Sequence, residues 1–143
     1  MTPVVMDTGV LVAGIFWRSE PHKCVKAWLL GMVSLVLSEA IYREYDRTLH
    51  RVKANEGFDT DLEPWLALIR KSGQWVTPTS FEETVCRDPN DDIMIEAALA
   101  GRVGTIIARD PDLTVLQRPF GIRVVTPRQW LAKLPRESRR RLD

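Results

Sequence analysis

Residues 4–14 read VVMDTGVLVAG, an apolar run that leads directly into an aspartate, Asp7, and resumes at Val10. Short runs of β-branched and aliphatic residues recur along the chain, at 3–6, 34–37, 104–108 and 122–125. Runs of this length that are apolar throughout are typical of strands covered on both faces. The chain is therefore predicted to contain at least four buried strands.

Helical patterns separate these strands. Apolar residues recur at helical spacing over 21–32, 39–52, 62–71, 92–100 and in a short last helix that begins at Pro127. Ser38 stands where the second of these helices needs an N-cap. Strands that alternate with helices, with few hairpin turns between them, favour a parallel sheet covered on both faces. We expect a three-layer α/β/α sandwich with a mostly parallel central sheet.

Length and composition fit one ordinary globular domain. The chain has 143 residues, of which 45% are hydrophobic and 27% charged, and its net charge is +1. We predict a domain over 1–134 and a flexible basic tail over 135–143. Cys24 and Cys86 are too few for a disulfide framework or a zinc site. The chain has no long apolar segment and no signal-peptide pattern at its start, so we expect a cytoplasmic protein with no membrane contact.

Acidic residues fall where a parallel sheet carries its chemistry. Asp7 follows the first strand, Asp110 follows the strand over 104–108, and Asp112 lies two residues further on. In open parallel sheets, ligands bind beyond the carboxyl ends of the strands. Asp91 and Asp92 lie at a predicted helix start, where capping and turn roles are equally open alternatives. Asp7 has no predicted helix to cap, which makes it the strongest site residue.

Glu44 adds a carboxylate from the predicted helix 39–52. It falls on the inward stripe formed by Ile41, Tyr45 and Thr48, and a buried carboxylate is costly unless it is paired or bound to a metal. No histidine or cysteine accompanies these acids, so an all-oxygen site suits Mg²⁺ or Mn²⁺. Such an ion offsets the repulsion between clustered acids, lowers the pKa of a bound water and stabilises charge on a phosphodiester. Hydrolysis of a phosphodiester is the reaction that this site supports best.

With these residues the chain resembles a PIN domain, the metal-dependent ribonuclease fold of VapC-like toxins. The likeness covers nearly the whole chain, through segments 4–14, 37–49, 86–101, 104–116 and 122–131. The segment CRDPNDDIMIEAALAG, at 86–101, is the closest match. The resemblance implies metal-binding acids at Asp7, Glu44, Asp91, Asp110 and Asp112. It also implies Mg²⁺- or Mn²⁺-dependent cleavage of single-stranded RNA, inhibition by a small antitoxin protein, and a homodimer.

Two departures from the family pattern leave an alternative open. Gly9 stands where the family often has Asn, and Ala108 and Arg109 stand where it often has Thr and Gly. These departures keep open a catalytically weak or inactive PIN-like module that binds RNA or protein. The DTG string at 7–9 also resembles an aspartic protease, but those enzymes are β-rich. A receiver-like phosphoacceptor needs a lysine after a late strand, which this sequence lacks, and a haloacid-dehalogenase-like phosphatase needs an acid at Gly9.

Two arginine-rich segments could contact phosphates. One is the helix surface formed by Arg43, Arg47, Arg51 and Lys53; the other is the tail with Arg136, Arg139, Arg140 and Arg141. A solvated helix face is an equally good reading of the first segment. Among the tryptophans, Trp28, Trp65 and Trp130 are expected in the core or at a dimer contact, and Trp17 is expected to be exposed. We predict that the Asp7→Asn substitution abolishes cleavage. It should leave the fold intact or stabilised, because it removes one repelling charge from the site.

Overall fold

A computed structural model of the chain describes residues 1–80, 89–109 and 119–143. Asp110, Asp112 and Cys86 therefore lie outside the described residues. The described chain forms one parallel sheet with the strands β1 Thr2–Met6, β2 Val33–Leu37, β3 Gln74–Trp75, β4 Thr105–Ile107 and β5 Arg123–Val125. The predicted strands are confirmed. β3 was not predicted because it has two residues, and both are exposed.

The strand order across the sheet is β3-β2-β1-β4-β5. Val4 pairs with Leu35 on one side of β1, and Met6 pairs with Ile107 on the other. From β1 the chain moves outward to β2 and β3 and then returns to the far side of β1. The order therefore reverses between β1 and β4, and in sheets of this kind such a switch point opens the crevice in which ligands bind.

The helices of the described chain are α1 Thr8–Phe16, α2 Glu20–Leu29, α3 Glu39–Glu56, α4 Glu63–Ser72, α5 Pro89–Ala100, α6 Pro127–Ala132 and α7 Arg136–Leu142. Right-handed crossovers place α2 and α5 on opposite faces of the sheet, because the chain crosses in opposite directions through them. α2 packs against β2, and α5 packs against β1, β2 and β4. This is the predicted three-layer α/β/α sandwich.

Local sequence explains how α3 begins and ends. Ser38 Oγ accepts a hydrogen bond from Ile41 N at 3.3 Å and caps α3, as predicted. Gly57, with φ of 69°, ends α3 in the left-handed conformation that favours glycine. The sequence pattern did not predict α1. Its residues 10–14 are all buried, so the helix has no polar face and no amphipathic period.

The C-terminal segment is not the flexible tail that the sequence predicts. Residues 136–142 form α7, which contacts α2. Leu142 is buried, with 3% of its surface exposed, and Lys23 Nζ lies 2.8 Å from Asp143 Oδ1. The run of arginines gives this helix no amphipathic pattern in the sequence, because only one apolar side chain docks it. Across the described residues, no helix is both long and apolar enough to cross a membrane.

The tryptophans divide between interior and surface. Trp28 is buried in the core, whereas Trp65 and Trp130 are partly buried against it. Trp17 is exposed as expected, with 42% of its surface accessible. It packs against Phe16 and Phe58 at centroid distances of 6.0 and 5.4 Å.

Candidate active site

Asp7 is a buried carboxylate held in place by two backbone donors. Its Oδ1 accepts a hydrogen bond from Val10 N at 2.8 Å, and its Oδ2 accepts one from Arg109 N at 3.1 Å. Only 3% of the residue is exposed. Each carboxylate oxygen can accept more than one hydrogen bond or ligand, so these two bonds do not by themselves exclude a cation.

The premise that Asp7 has no helix to cap is wrong. Asp7 is the N-cap of α1, a helix that the sequence pattern did not reveal. A capping role and a metal-binding role are compatible, because the cap occupies one lone pair of one oxygen. The sequence predicted an Asp7→Asn variant at least as stable as the wild type, because the substitution removes one repelling charge from the site. With two backbone hydrogen bonds at stake, we now expect that substitution to cost stability.

The contact from Arg109 N spans the switch point of the sheet. Asp7 follows β1 and Arg109 lies two residues after β4, and Asp7 N also donates to Ile107 O at 2.9 Å. The first strand end and the fourth strand end are thus joined at the carboxyl edge, as the sequence predicts. Asp110 follows Arg109 in the chain, but Asp110 and Asp112 lie outside the described residues, so their roles stay predictions.

Tyr45 ties α3 to the same edge. Its buried hydroxyl donates a hydrogen bond to Met6 O at 2.5 Å, at the end of β1. Burial, and next the charge of Asp7, raise the pKa of Tyr45 well above its ordinary value, so the hydroxyl stays a donor. Tyr45 was predicted only as an apolar stripe residue. The signal was its hydroxyl, because a buried tyrosine usually finds a polar partner.

Glu44 precedes Tyr45 on α3 and is largely enclosed, with 18% of its side chain exposed. It forms an ion pair with Arg47, one turn further along the helix. Thr48, also on the inward stripe, has a buried hydroxyl with no hydrogen-bond partner among the described residues. Glu44 is thus half-buried, less enclosed than the buried carboxylate that the sequence predicts, and it has a cationic partner that the sequence did not indicate.

Asp91 and Asp92 lie in the first turn of α5, which starts slightly earlier than predicted, at Pro89. Both are buried, each with 7% of its surface exposed. Their place at the helix N-terminus favours negative charge through the helix dipole. α5 contacts β1, β4 and α3, so it packs against the elements that carry Asp7, Arg109 and Glu44.

The chemical type of these side chains suits a hard divalent cation. Asp7, Glu44 and Asp91 are enclosed carboxylates, and oxygen ligands are those that Mg²⁺ and Mn²⁺ prefer. Beside Asp7, the buried Thr8 hydroxyl has no hydrogen-bond partner among the described residues. Within 1–80, 89–109 and 119–143, no three His, Cys, Asp or Glu side chains form a group able to hold a metal ion. Asp110 and Asp112, which the sequence predicts as further ligands, lie outside these ranges.

The glycine that departs from the family pattern leaves room beside Asp7. A Cβ built on Gly9 would lie 3.6 Å from Asp7 Oδ1, which is an ordinary van der Waals contact. A side chain at this position would therefore fit without displacing the carboxylate. Among the described residues, local packing therefore does not require a glycine at position 9.

Comparisons with known proteins and families bear on the chemistry of this site. No curated protein matches the chain. A family model of the PIN domain matches residues 3–112. PIN domains are generally metal-dependent nucleases, so the match indicates a nuclease-type hydrolase that uses divalent metal ions. Because the matched segment spans more than half of the chain and includes all the predicted site acids, the chain belongs to the PIN domain family.

Proposed function

We propose that this PIN domain is an endoribonuclease that cleaves single-stranded RNA with Mg²⁺ or Mn²⁺. Asp7, Glu44, Asp91, Asp110 and Asp112 would hold the metal. One observation carries the proposal: the buried carboxylate of Asp7 sits at the switch point of the sheet, 3.1 Å from the backbone N–H of Arg109. A charge buried at the place where parallel sheets bind ligands is more consistent with a site than with a surface cap.

The bound ion would lower the pKa of a water and stabilise the charge that builds on the phosphodiester. The residues of the chain itself hold the Asp7 carboxylate and the end of β1 in place. Val10 N and Arg109 N fix both oxygens of Asp7, so its carboxylate does not need to reorganise during the reaction. The Tyr45 hydroxyl holds the end of β1 through Met6 O. In this proposal the carboxylates are ligands and none of them attacks the RNA.

The proposal extends to a biological role. The resemblance to VapC-like chains supports a toxin, inhibited by an antitoxin protein, that works as a cytoplasmic homodimer. The exposed Trp17, packed against the half-buried Phe16 and Phe58, is consistent with a contact between copies, because exposed apolar patches often mark interfaces. We call the carboxyl edge of the sheet with its proposed metal ligands, Asp7, Glu44, Asp91, Asp110 and Asp112, the acidic edge. The RNA sequence that is cut is a separate question, which depends on contacts outside the acidic edge.

The test is cleavage of a mixed single-stranded RNA in Mn²⁺, in Mg²⁺ and in EDTA. Asp7→Asn and Asp91→Asn are compared with Asp59→Asn, which removes an exposed acid from the loop between α3 and α4. We expect metal-dependent cleavage by the wild type and by Asp59→Asn, and none by the two site variants. Cleavage that survives in both site variants would come from a contaminant or another site and would overturn the proposal.

The alternative is a PIN-like module that binds RNA or protein without cutting. Its support is the pair of departures at Gly9 and at 108–109. If folded wild-type protein binds RNA but leaves it intact under every metal condition, this alternative replaces the enzyme.

A further inference from the structure

A continuous groove leads away from the acidic edge toward the C-terminal helix. Its first part is a cavity of about 430 Å³ whose lining includes Arg109, Thr126 and Arg128. Its second part is a cavity of about 550 Å³ formed by α2, α6 and α7. Glu20 and Arg128 line both cavities, so the two are adjacent. We call the combined feature the basic groove.

The basic groove is strongly cationic although the whole chain is nearly neutral. Two of the charged side chains that line it are acids, Glu20 and Asp143, and Asp143 is paired with Lys23. The cationic side chains that line it are Lys23, Arg109, Arg128, Arg136, Arg139 and Arg140. Against a net charge of +1 for all 143 residues, this concentrates positive charge on one face. A concave surface whose charge is mostly positive attracts a polyanion.

Within the described residues, the arginines of the groove form no ion pair. Arg109, Arg128, Arg136, Arg139 and Arg140 are exposed, and none forms an ion pair within the described part of the chain. The arginines of α3 differ. Arg43 pairs with Glu39 at 3.7 Å and Arg47 pairs with Glu44. Of the two arginine-rich segments, the C-terminal one is therefore better suited to bind phosphates.

We propose that the basic groove binds the sugar-phosphate backbone of the single-stranded RNA and leads it to the acidic edge. This inference rests on the proposed function and adds the path of the substrate. Arg109 marks where the path meets the site, because its side chain lines the groove while its backbone N–H holds Asp7. An acidic peptide would also match the charge. RNA is favoured because the groove begins at the residue that holds the proposed metal ligand.

The groove is tested by binding, separately from cleavage. A short fluorescent single-stranded RNA is titrated in EDTA, so that no cleavage occurs, and anisotropy is measured at several salt concentrations. The test variant is Arg139→Gln/Arg140→Gln. The control variant is Lys71→Gln/Arg102→Gln, which removes two exposed cations at the opposite edge of the sheet, one in the last turn of α4 and one just after α5.

We expect the test variant to bind RNA about tenfold more weakly than the control, from exposed contacts of about 1 kcal/mol or less each. Its plot of log affinity against log salt should be shallower by about 1.4, since two fewer phosphate contacts release fewer counterions. In metal, its KM for RNA should rise while kcat stays close to that of the wild type. Circular dichroism melts of both variants establish that α7 remains folded.

Each outcome decides a different claim. If the test variant has the affinity and salt slope of the control, while the wild type still cleaves RNA, the groove inference is wrong and the proposed function stands. If no metal supports cleavage but the test variant still loses RNA affinity, the enzyme fails and the groove stands as an RNA-binding surface. Polyglutamate that binds more tightly than RNA, through Arg139 and Arg140, would overturn the RNA path in favour of an acidic protein partner.

Discussion

The acidic edge and the basic groove hold their charges in opposite ways. Asp7, Asp91 and Asp92 are buried, and Asp7 is fixed by backbone N–H groups at both oxygens. The arginines of the groove are exposed and form no ion pair with an acid in the described chain. A buried charge is costly and must be held in one geometry, whereas an exposed arginine costs little and acts through its field. In the proposed function, the acidic edge therefore suits a chemical step and the basic groove suits the attraction of a polyanion.

The largest effect should come from Asp7→Asn, which breaks the acidic edge alone. We expect cleavage to fall by about 10³-fold or more, since a metal supplies several kcal/mol of charge stabilisation. Asparagine still caps a helix, but it has one carbonyl oxygen for two donors. The free energy of unfolding should therefore fall by about 1–2 kcal/mol. Urea unfolding in EDTA and cleavage rates in Mn²⁺ measure the two effects.

RNA binding in EDTA is the control for this variant, because the basic groove keeps its charges. An affinity equal to that of the wild type is expected. A stability higher than that of the wild type would mean that charge repulsion at the metal-free edge exceeds the two backbone hydrogen bonds of Asp7.

The sequence predicts the acidic edge better than the basic groove, for physical reasons. An acid directly after an apolar strand is visible in the sequence, and parallel topology then places Asp7 next to the end of β4. The helix that Asp7 caps is hidden, because α1 is apolar on all sides. Whether Glu44 is bound by Arg47 or by a metal depends on side-chain positions that no spacing rule determines.

The basic groove could not be predicted from the sequence. Its arginines come from α6, α7 and the segment after β4, and they share a face only after α7 folds back onto α2. The sequence pattern of 135–143 indicates a solvated tail, since a single buried residue, Leu142, carries the docking. One apolar residue among charges gives no periodic signal.

The second-largest effect should come from Leu142→Ala, which loosens the groove and spares the acidic edge. Truncating a buried leucine costs 2–5 kcal/mol in well-packed cores, and we expect about 2 kcal/mol at this helix end. Because Arg139 and Arg140 lose their fixed places, the KM for RNA should rise while kcat is retained. Thermal unfolding and steady-state cleavage test this. A lowered kcat with unchanged KM would show that α7 supports the acidic edge instead.

A smaller effect concerns the ion pair that holds α7. The hydrogen bond and charge of Lys23 lower the pKa of Asp143 below its ordinary value of 3.8. A carboxyl with a lowered pKa in the folded state contributes stability above its ordinary pKa and loses it as the pH falls through the lowered value. Docking of α7 should thus be constant at neutral pH and weaken below about pH 3.8. Methyl NMR shifts of Leu142 follow it, and Asp143→Asn should remove this pH dependence.

The smallest effect should come from Arg47→Gln, which tests an arginine whose side chain pairs with an acid of the acidic edge. Arg47 pairs with Glu44, so it competes with a metal for that carboxylate. Its own side chain is 65% exposed, and exposed pairs contribute about 0.2–1 kcal/mol. Removing it should lower the Mn²⁺ concentration for half-maximal cleavage by about two- to fivefold. Arg43→Gln is the matched control, because Arg43 pairs with the exposed Glu39. A higher Mn²⁺ requirement in Arg47→Gln would instead mean that Arg47 positions Glu44 for the metal.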